Sequence, residues 1–66
     1  MIVRINGKEE SMIGVKDLLG LLRHKGLEKG KIVVEYNSEI IPERGWGGIA
    51  LKEDDSVEIV SFVGGG

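Results

Sequence analysis

The residues with the most distinctive chemistry stand at the end of the 66-residue sequence, which reads Phe62-Val63-Gly64-Gly65-Gly66. Glycine has no side chain, so three in a row are either a frayed chain end or a segment able to enter a narrow channel in a partner enzyme. The terminal carboxylate of such a segment is sterically open to attack. A free carboxylate is a poor electrophile, and adenylation by ATP supplies the leaving group it lacks. The rest of the chain offers little competing chemistry. There is no cysteine and one histidine, His24, so a thiolate nucleophile, a disulfide or a zinc–thiolate site is excluded. The acidic pairs Glu9/Glu10 and Asp54/Asp55 read as solvated turns rather than a general acid–base dyad. His24 reads as a cap on a helix C-terminus, and Trp46 as a packed aromatic of the core or rim.

A small body must carry that end. Ile2, Val3 and Ile5 predict a first strand over Met1 to Ile5, and Asn6-Gly7 is a two-residue hairpin signal. A second, more polar strand returns over Lys8 to Ile13. Val15, Leu18, Leu19 and Leu22 fall at helical spacing, which predicts a helix from Val15 to Lys25. Asp17 then lies in its first turn, Arg23, His24 and Lys25 in its last, and Gly26 just past its end. Leu21 falls off the stripe and is expected to be partly exposed, and Gly20 marks a close approach at mid-helix. Lys31 to Tyr36 predicts a third strand, Asn37-Ser38 a turn, and Glu39-Ile40-Ile41 a fourth strand ended by Pro42. Glu43 to Ala50 reads as a turn region, Lys52 to Ser56 as an acidic turn, and Val57 to Val63 as the last strand. The order β-β-α-β-β-β predicts an α+β chain: a β-grasp, ubiquitin-like fold with one helix across one face of a mixed sheet. In that arrangement the last strand lies beside the first. Residues 1–63 are expected to form the domain and Gly64, Gly65 and Gly66 a flexible tail.

Along the last strand, Val57, Ile59, Ser61 and Val63 share one face and Glu58, Val60 and Phe62 the other. With Val57 and Ile59 turned to the helix, Val60 and Phe62 face solvent beside the tail and form a candidate docking patch; the alternatives are a covered or dimeric face, or isolated exposed apolar residues. Its burial in a partner would offset the ~1–2 kcal/mol of backbone entropy lost per tail residue ordered on insertion. Lys8 and Arg44 are further candidates for docking. Nine Lys/Arg scattered among eleven Asp/Glu, for a net charge of −2, argue against a nucleic-acid partner. No apolar run approaches the ~20 residues of a membrane helix, and no secretory leader is evident, so the expected address is the cytoplasm. A chain of this size is not expected to enclose the ~300–1,000 Å³ of a typical ligand pocket.

Taken together, Asn6-Gly7, the stretch Asn37 to Pro42, Trp46, the acidic turn before Val57-Glu58-Ile59-Val60, and the Phe-Val-Gly-Gly-Gly ending resemble the ThiS family of sulfur carriers over the whole chain. The resemblance implies that a ThiF-like adenylyltransferase activates Gly66 as an acyl-adenylate, using ATP. Sulfur from a persulfide donor, supplied indirectly by a cysteine desulfurase system, then makes the thiocarboxylate. A ThiG-like thiazole synthase receives the sulfur for the thiazole ring of thiamine. Gly66 matches the glycine that is modified, Gly65 the other half of the family's Gly-Gly ending, and Val60 and Phe62 the strand that meets partners. In this reading the chain is a co-substrate with no bound cofactor or metal. Glu53-Asp54-Asp55 departs from the family's usual Asp-Gly-Asp, and Pro42-Glu43-Arg44 from its Pro-Arg.

Three other readings stand beside this one. A small subunit of molybdopterin synthase, or another ubiquitin-like sulfur carrier, would share the fold and the thiocarboxylate chemistry. A ubiquitin-like binding module would need no tail chemistry. An acyl carrier is hinted at by Asp55-Ser56-Val57, but that serine belongs at the start of a helix, and Ser56 opens a β-branched strand.

Overall fold

In the computed structural model, residues 1–27 and 30–62 are described; Val63 and the three terminal glycines lie outside that range. The chain forms β1 (Ile2–Ile5), β2 (Lys8–Ser11), α1 (Leu18–His24), β3 (Ile32–Tyr36), β4 (Glu39–Ile40), a 3-10 helix over Glu43–Gly48, and β5 (Ser56–Ser61). The five strands make one sheet in the order β2-β1-β5-β3-β4. β5 runs parallel to β1 and antiparallel to β3. The anticipated mixed sheet is therefore present, with the last strand at its centre.

Both two-residue hairpins follow from backbone chemistry. Asn6 and Gly7 have φ of 51° and 83°, as a type I′ turn requires. Asn37 and Ser38 adopt 47° and 74°, so a serine holds the left-handed conformation that glycine would take more readily.

Helix α1 is shorter than the apolar spacing predicts. It begins at Leu18 rather than Val15, because Lys16 and Asp17 are engaged elsewhere. Asp17 is extended and bridges Ala50, the Leu51 amide donates to the Lys16 carbonyl at 3.0 Å, and the Leu18 amide donates to the Ile49 carbonyl at 2.9 Å. Asp17 is thus the N-cap and not a first-turn residue: its Oδ1 accepts the Gly20 amide at 2.7 Å. The same carboxylate oxygen lies 3.2 Å from where a Cβ on Gly20 would stand, which is the close approach at that glycine. At the other end Gly26, at φ 72°, donates to the Arg23 carbonyl and Leu27 to the Leu22 carbonyl. This paired pattern is a Schellman motif. The backbone builds the cap, and His24 stands exposed in the last turn.

Leu21 is fully buried, contrary to the expectation that it lies off the packed stripe. In a helix starting at Leu18 the inward face is Leu18, Leu21 and Leu22, while Leu19 is half-buried. Leu19 instead lies toward the 3-10 helix, its Cδ2 3.6 Å from an ideal Cβ at Gly47. The core joins these leucines to Val3, Ile5, Val34 and Val57 from the sheet, and to Met12, Val15, Ile32, Trp46 and Leu51. Trp46 is buried as anticipated, and its indole N–H donates to the Ile41 carbonyl at 3.0 Å. Strands β2 and β4 end earlier than predicted, at Ser11 and Ile40. Among the described residues no helix is long and apolar enough to cross a membrane.

Candidate functional site

The site is built on β5, the strand that leads in sequence to the glycines. Its side chains alternate as anticipated: Val57 is buried and Ile59 half-buried, while Glu58, Val60 and Phe62 are exposed. The β3–β5 register sets Val33 opposite Val60 and Glu35 opposite Glu58, and the β3–β4 register sets Ile40 opposite Glu35. Paired residues project from the same side of a sheet. The face away from the helix therefore carries Val60 (61% exposed), Phe62 (50%), Val33 (41%) and Ile40 (64%). Val33 and Ile40 were not legible from β5 alone. The alternation of β3, with Ile32 and Val34 buried around Val33, turns Val33 outward, but only the register brings it beside Val60.

Three contacts fix the direction of β5. The Phe62 amide donates to the Lys31 carbonyl at 3.1 Å, which ties the residue just past β5 to the residue just before β3. On the other side Asn6 acts as a clamp. Its Oδ1 accepts the Ile59 amide at 2.7 Å and its Nδ2 donates to the Ile59 carbonyl at 3.2 Å. One carboxamide thereby satisfies both backbone groups of a strand residue.

The turn before β5 corrects the reading of Asp54/Asp55 as a solvated pair. Asp54 is exposed at φ 68°, but Asp55 is only 5% exposed. Its Oδ2 accepts the Tyr36 hydroxyl at 2.6 Å and the Lys52 amide at 2.7 Å, and its Oδ1 accepts the Asn37 Nδ2 at 3.2 Å. Burial alone pushes the Asp55 carboxyl pKa up. The hydrogen bonds from Tyr36, Lys52 and Asn37, with the Lys52 charge, outweigh burial and hold it below the usual carboxylate value. Burial and the hydrogen bond to Asp55 raise the Tyr36 phenol. Asn37 closes the arrangement by accepting the Ser56 amide at 2.8 Å through its Oδ1. Ser56 opens β5 and not a helix, which removes the basis for an acyl-carrier attachment site.

Gly64, Gly65 and Gly66 lie outside the described residues, as does Val63. Lys8 is exposed at the start of β2, and Arg44 is exposed in the 3-10 helix, an element that packs on α1. No group of three or more His, Cys, Asp or Glu that could hold a metal ion occurs among the described residues. The described residues also enclose no pocket. What the arrangement offers is an apolar face around the end of a clamped central strand.

Comparison with known proteins places this geometry. The chain is 37% identical over 62 residues to a thiazole synthase of Paramagnetospirillum magneticum, covering 94% of this chain and 19% of that protein. It is 35% identical over 66 residues to a thiazole synthase of Magnetococcus marinus, covering 100% of this chain and 20% of that protein. It thus spans about a fifth of the length of each of these two relatives. It is also 35% identical over 69 residues to the sulfur carrier protein ThiS of Bacillus subtilis, covering 98% of this chain and 100% of that one. The crystal structure of a thiamine biosynthesis protein (ThiS) from Geobacter metallireducens superposes with a TM-score of 0.81 at 28% identity, covering 100% of both chains. The ThiS family model matches residues 3–66. With that match and an open-faced β-grasp sheet whose central strand leads to the glycines, the chain belongs to the ThiS family.

Proposed function

We propose that this chain is a sulfur carrier for thiazole formation in thiamine biosynthesis, a co-substrate of its partner enzymes and not itself a catalyst. The observation that carries the reading is that the family match runs through residue 66 and so includes the glycine ending beyond β5. The chemistry requires a free carboxylate on Gly66. Its carboxylate attacks the α-phosphate of ATP on a ThiF-like adenylyltransferase, and pyrophosphate leaves. The terminal sulfur of a persulfide then attacks the acyl carbon and AMP leaves. A thiol reduces the resulting acyl disulfide, which releases the thiocarboxylate and forms a new disulfide. The chain has no cysteine, so no side chain holds the sulfur as a persulfide and the carboxyl group is the place for it. Gly64 and Gly65 allow the end to enter the partner's channel because no Cβ obstructs it.

The recipient in this reading is a ThiG-like thiazole synthase. Two thiazole synthases contain a segment similar to the whole or nearly the whole of this chain. Joining a carrier to its consumer in one polypeptide raises the effective concentration to roughly millimolar. Val33, Ile40, Val60 and Phe62 form the docking face, and their burial offsets the ordering of the glycines.

The test is incubation with ATP, a ThiF-like enzyme and a persulfide donor, followed by intact-mass measurement. A single oxygen-to-sulfur exchange mapping to Gly66 is the expected result. An exchange elsewhere, or none under conditions that load the Bacillus protein, refutes the reading. Phe62→Ala is expected to keep the unfolding temperature of the parent within about 3 °C, because Phe62 is half exposed and is not one of the buried core residues, yet to slow sulfur transfer to thiazole synthase.

A further inference from the structure

We infer that the edge of β5 at Ser61 is a docking strand, which takes up an extended backbone segment of the recipient thiazole synthase as an added strand of the sheet. The inference rests on the sulfur-carrier reading and concerns how the recipient recognises the carrier.

The argument starts from hydrogen-bond parity. The Asn37 amide donates to the Ser56 carbonyl and the Phe62 amide to the Lys31 carbonyl. The residues of β5 that bond to β3 are therefore the even-numbered ones, and the register of Val60 with Val33 and Glu58 with Glu35 agrees. In an antiparallel pair the intervening residues point their N–H and C=O away from the partner strand. The backbone of Val57, Ile59 and Ser61 thus faces the β1 side.

On that side β1 covers only the beginning of β5. The Val57 carbonyl accepts the Asn6 amide at 2.9 Å. At Asn6-Gly7 the chain turns back into β2, and the Asn6 side chain extends the ladder by one residue, binding both backbone groups of Ile59. Ser61 lies one repeat further, about 6.6 Å along the strand. Among the described residues no strand runs beside it. Its N–H and C=O are aimed into a slot bordered by the Asn6-Gly7 turn.

The two outer edges of the sheet are treated differently. β2 is Lys8-Glu9-Glu10-Ser11, with Glu9 paired to Arg4 at 3.1 Å and Glu10 to Lys25 at 2.9 Å. β4 is two residues long and is soon followed by Pro42. Charge, brevity and proline are the usual means of blunting an edge. Ser61 has none of them and stands between the exposed Val60 and Phe62. A strand added in the slot would bond to Ser61 through its backbone and lay alternate side chains against Val60 and Phe62, as in β-strand addition. The slot adjoins the strand end that continues into the glycines, so the enzyme that consumes the sulfur is its natural occupant.

Quenched amide exchange, read by NMR on the full chain alone and bound to thiazole synthase, tests this. The Ser61 amide is expected to exchange rapidly in the free protein and at least about tenfold more slowly in the complex. The Phe62 amide, bonded to the Lys31 carbonyl, is slow in both. Ser61→Pro removes the N–H without breaking the β3 ladder, and is expected to lose about tenfold more affinity than Ser61→Ala, which keeps it. If Gly66 accepts sulfur and the complex forms, but Ser61 still exchanges rapidly or the two variants bind alike, the docking strand is refuted and the carrier reading stands. If Gly66 takes up no sulfur and no complex forms, both are refuted.

Discussion

A chain lacking Gly65 and Gly66 is expected to take up no sulfur at all while unfolding at the temperature of the parent. The two halves of that expectation have separate causes. In the proposed chemistry, loading requires an unhindered glycine carboxylate at the end of a segment thin enough to enter an enzyme channel, and removing two of the three glycines both shortens the reach and moves the carboxylate toward the folded body. Stability is unaffected because none of the twelve buried apolar residues, from Val3 to Val57, is deleted. Intact mass after incubation with ATP, a ThiF-like enzyme and a persulfide donor measures the first half, and a thermal melt the second. Sulfur uptake by the shortened chain would show that the reactive carboxyl is not the one at Gly66. A large fall in melting temperature would show that the glycines contribute to the fold.

The largest stability effect is expected at Asp55. Asp55→Ala deprives the Tyr36 hydroxyl, the Lys52 amide and the Asn37 amide group of their shared acceptor. Leaving such donors without a partner at a buried position is expected to cost about 3 kcal/mol in total. A domain of this size has roughly 3–10 kcal/mol of stability in all, so the melting temperature should fall on the order of 15 °C. Asp55→Asn is not a rescue. Its amide nitrogen would face another donor, and Asn37 is already oriented by accepting the Ser56 amide.

The pH dependence follows from the direction of the shift. Asp55 titrates lower in the folded chain than in the unfolded one. Its contribution is therefore complete above the unfolded value of about 3.9 and is lost as pH falls through the folded value. Thermal melts between pH 5 and pH 2 should show an acid-side decline that is smaller in Asp55→Asn. Equal declines in the two proteins would remove Asp55 as the cause.

What was legible in the sequence is what depends on neighbours along the chain. Asn6-Gly7 specifies its turn because both residues tolerate positive φ. Gly26 marks the helix end because the Schellman motif needs a left-handed residue there. The alternation of β5 divides Val57 and Ile59 from Val60 and Phe62 without reference to any other strand. The chemistry proposed for the glycine ending likewise rests on residue type and order alone.

Only the tertiary structure decided the rest, because the partners are distant in sequence. The helix starts three residues late since Lys16, Asp17 and Leu18 bond to Ile49–Leu51, a segment some thirty residues away. Leu21 is a core residue because it stands at i+3 from Leu18 on the face that packs inward. Asp55 reads as a surface acid until β3 brings Tyr36 and Asn37 to it. Val33 and Ile40 join Val60 and Phe62 through strand register alone. Composition and spacing determined a small β-grasp body whose last strand is followed in sequence by glycines. Long-range hydrogen bonding decided which face around that strand is open and which carboxylate is enclosed, since a backbone or buried polar group must find its partner wherever the fold provides one.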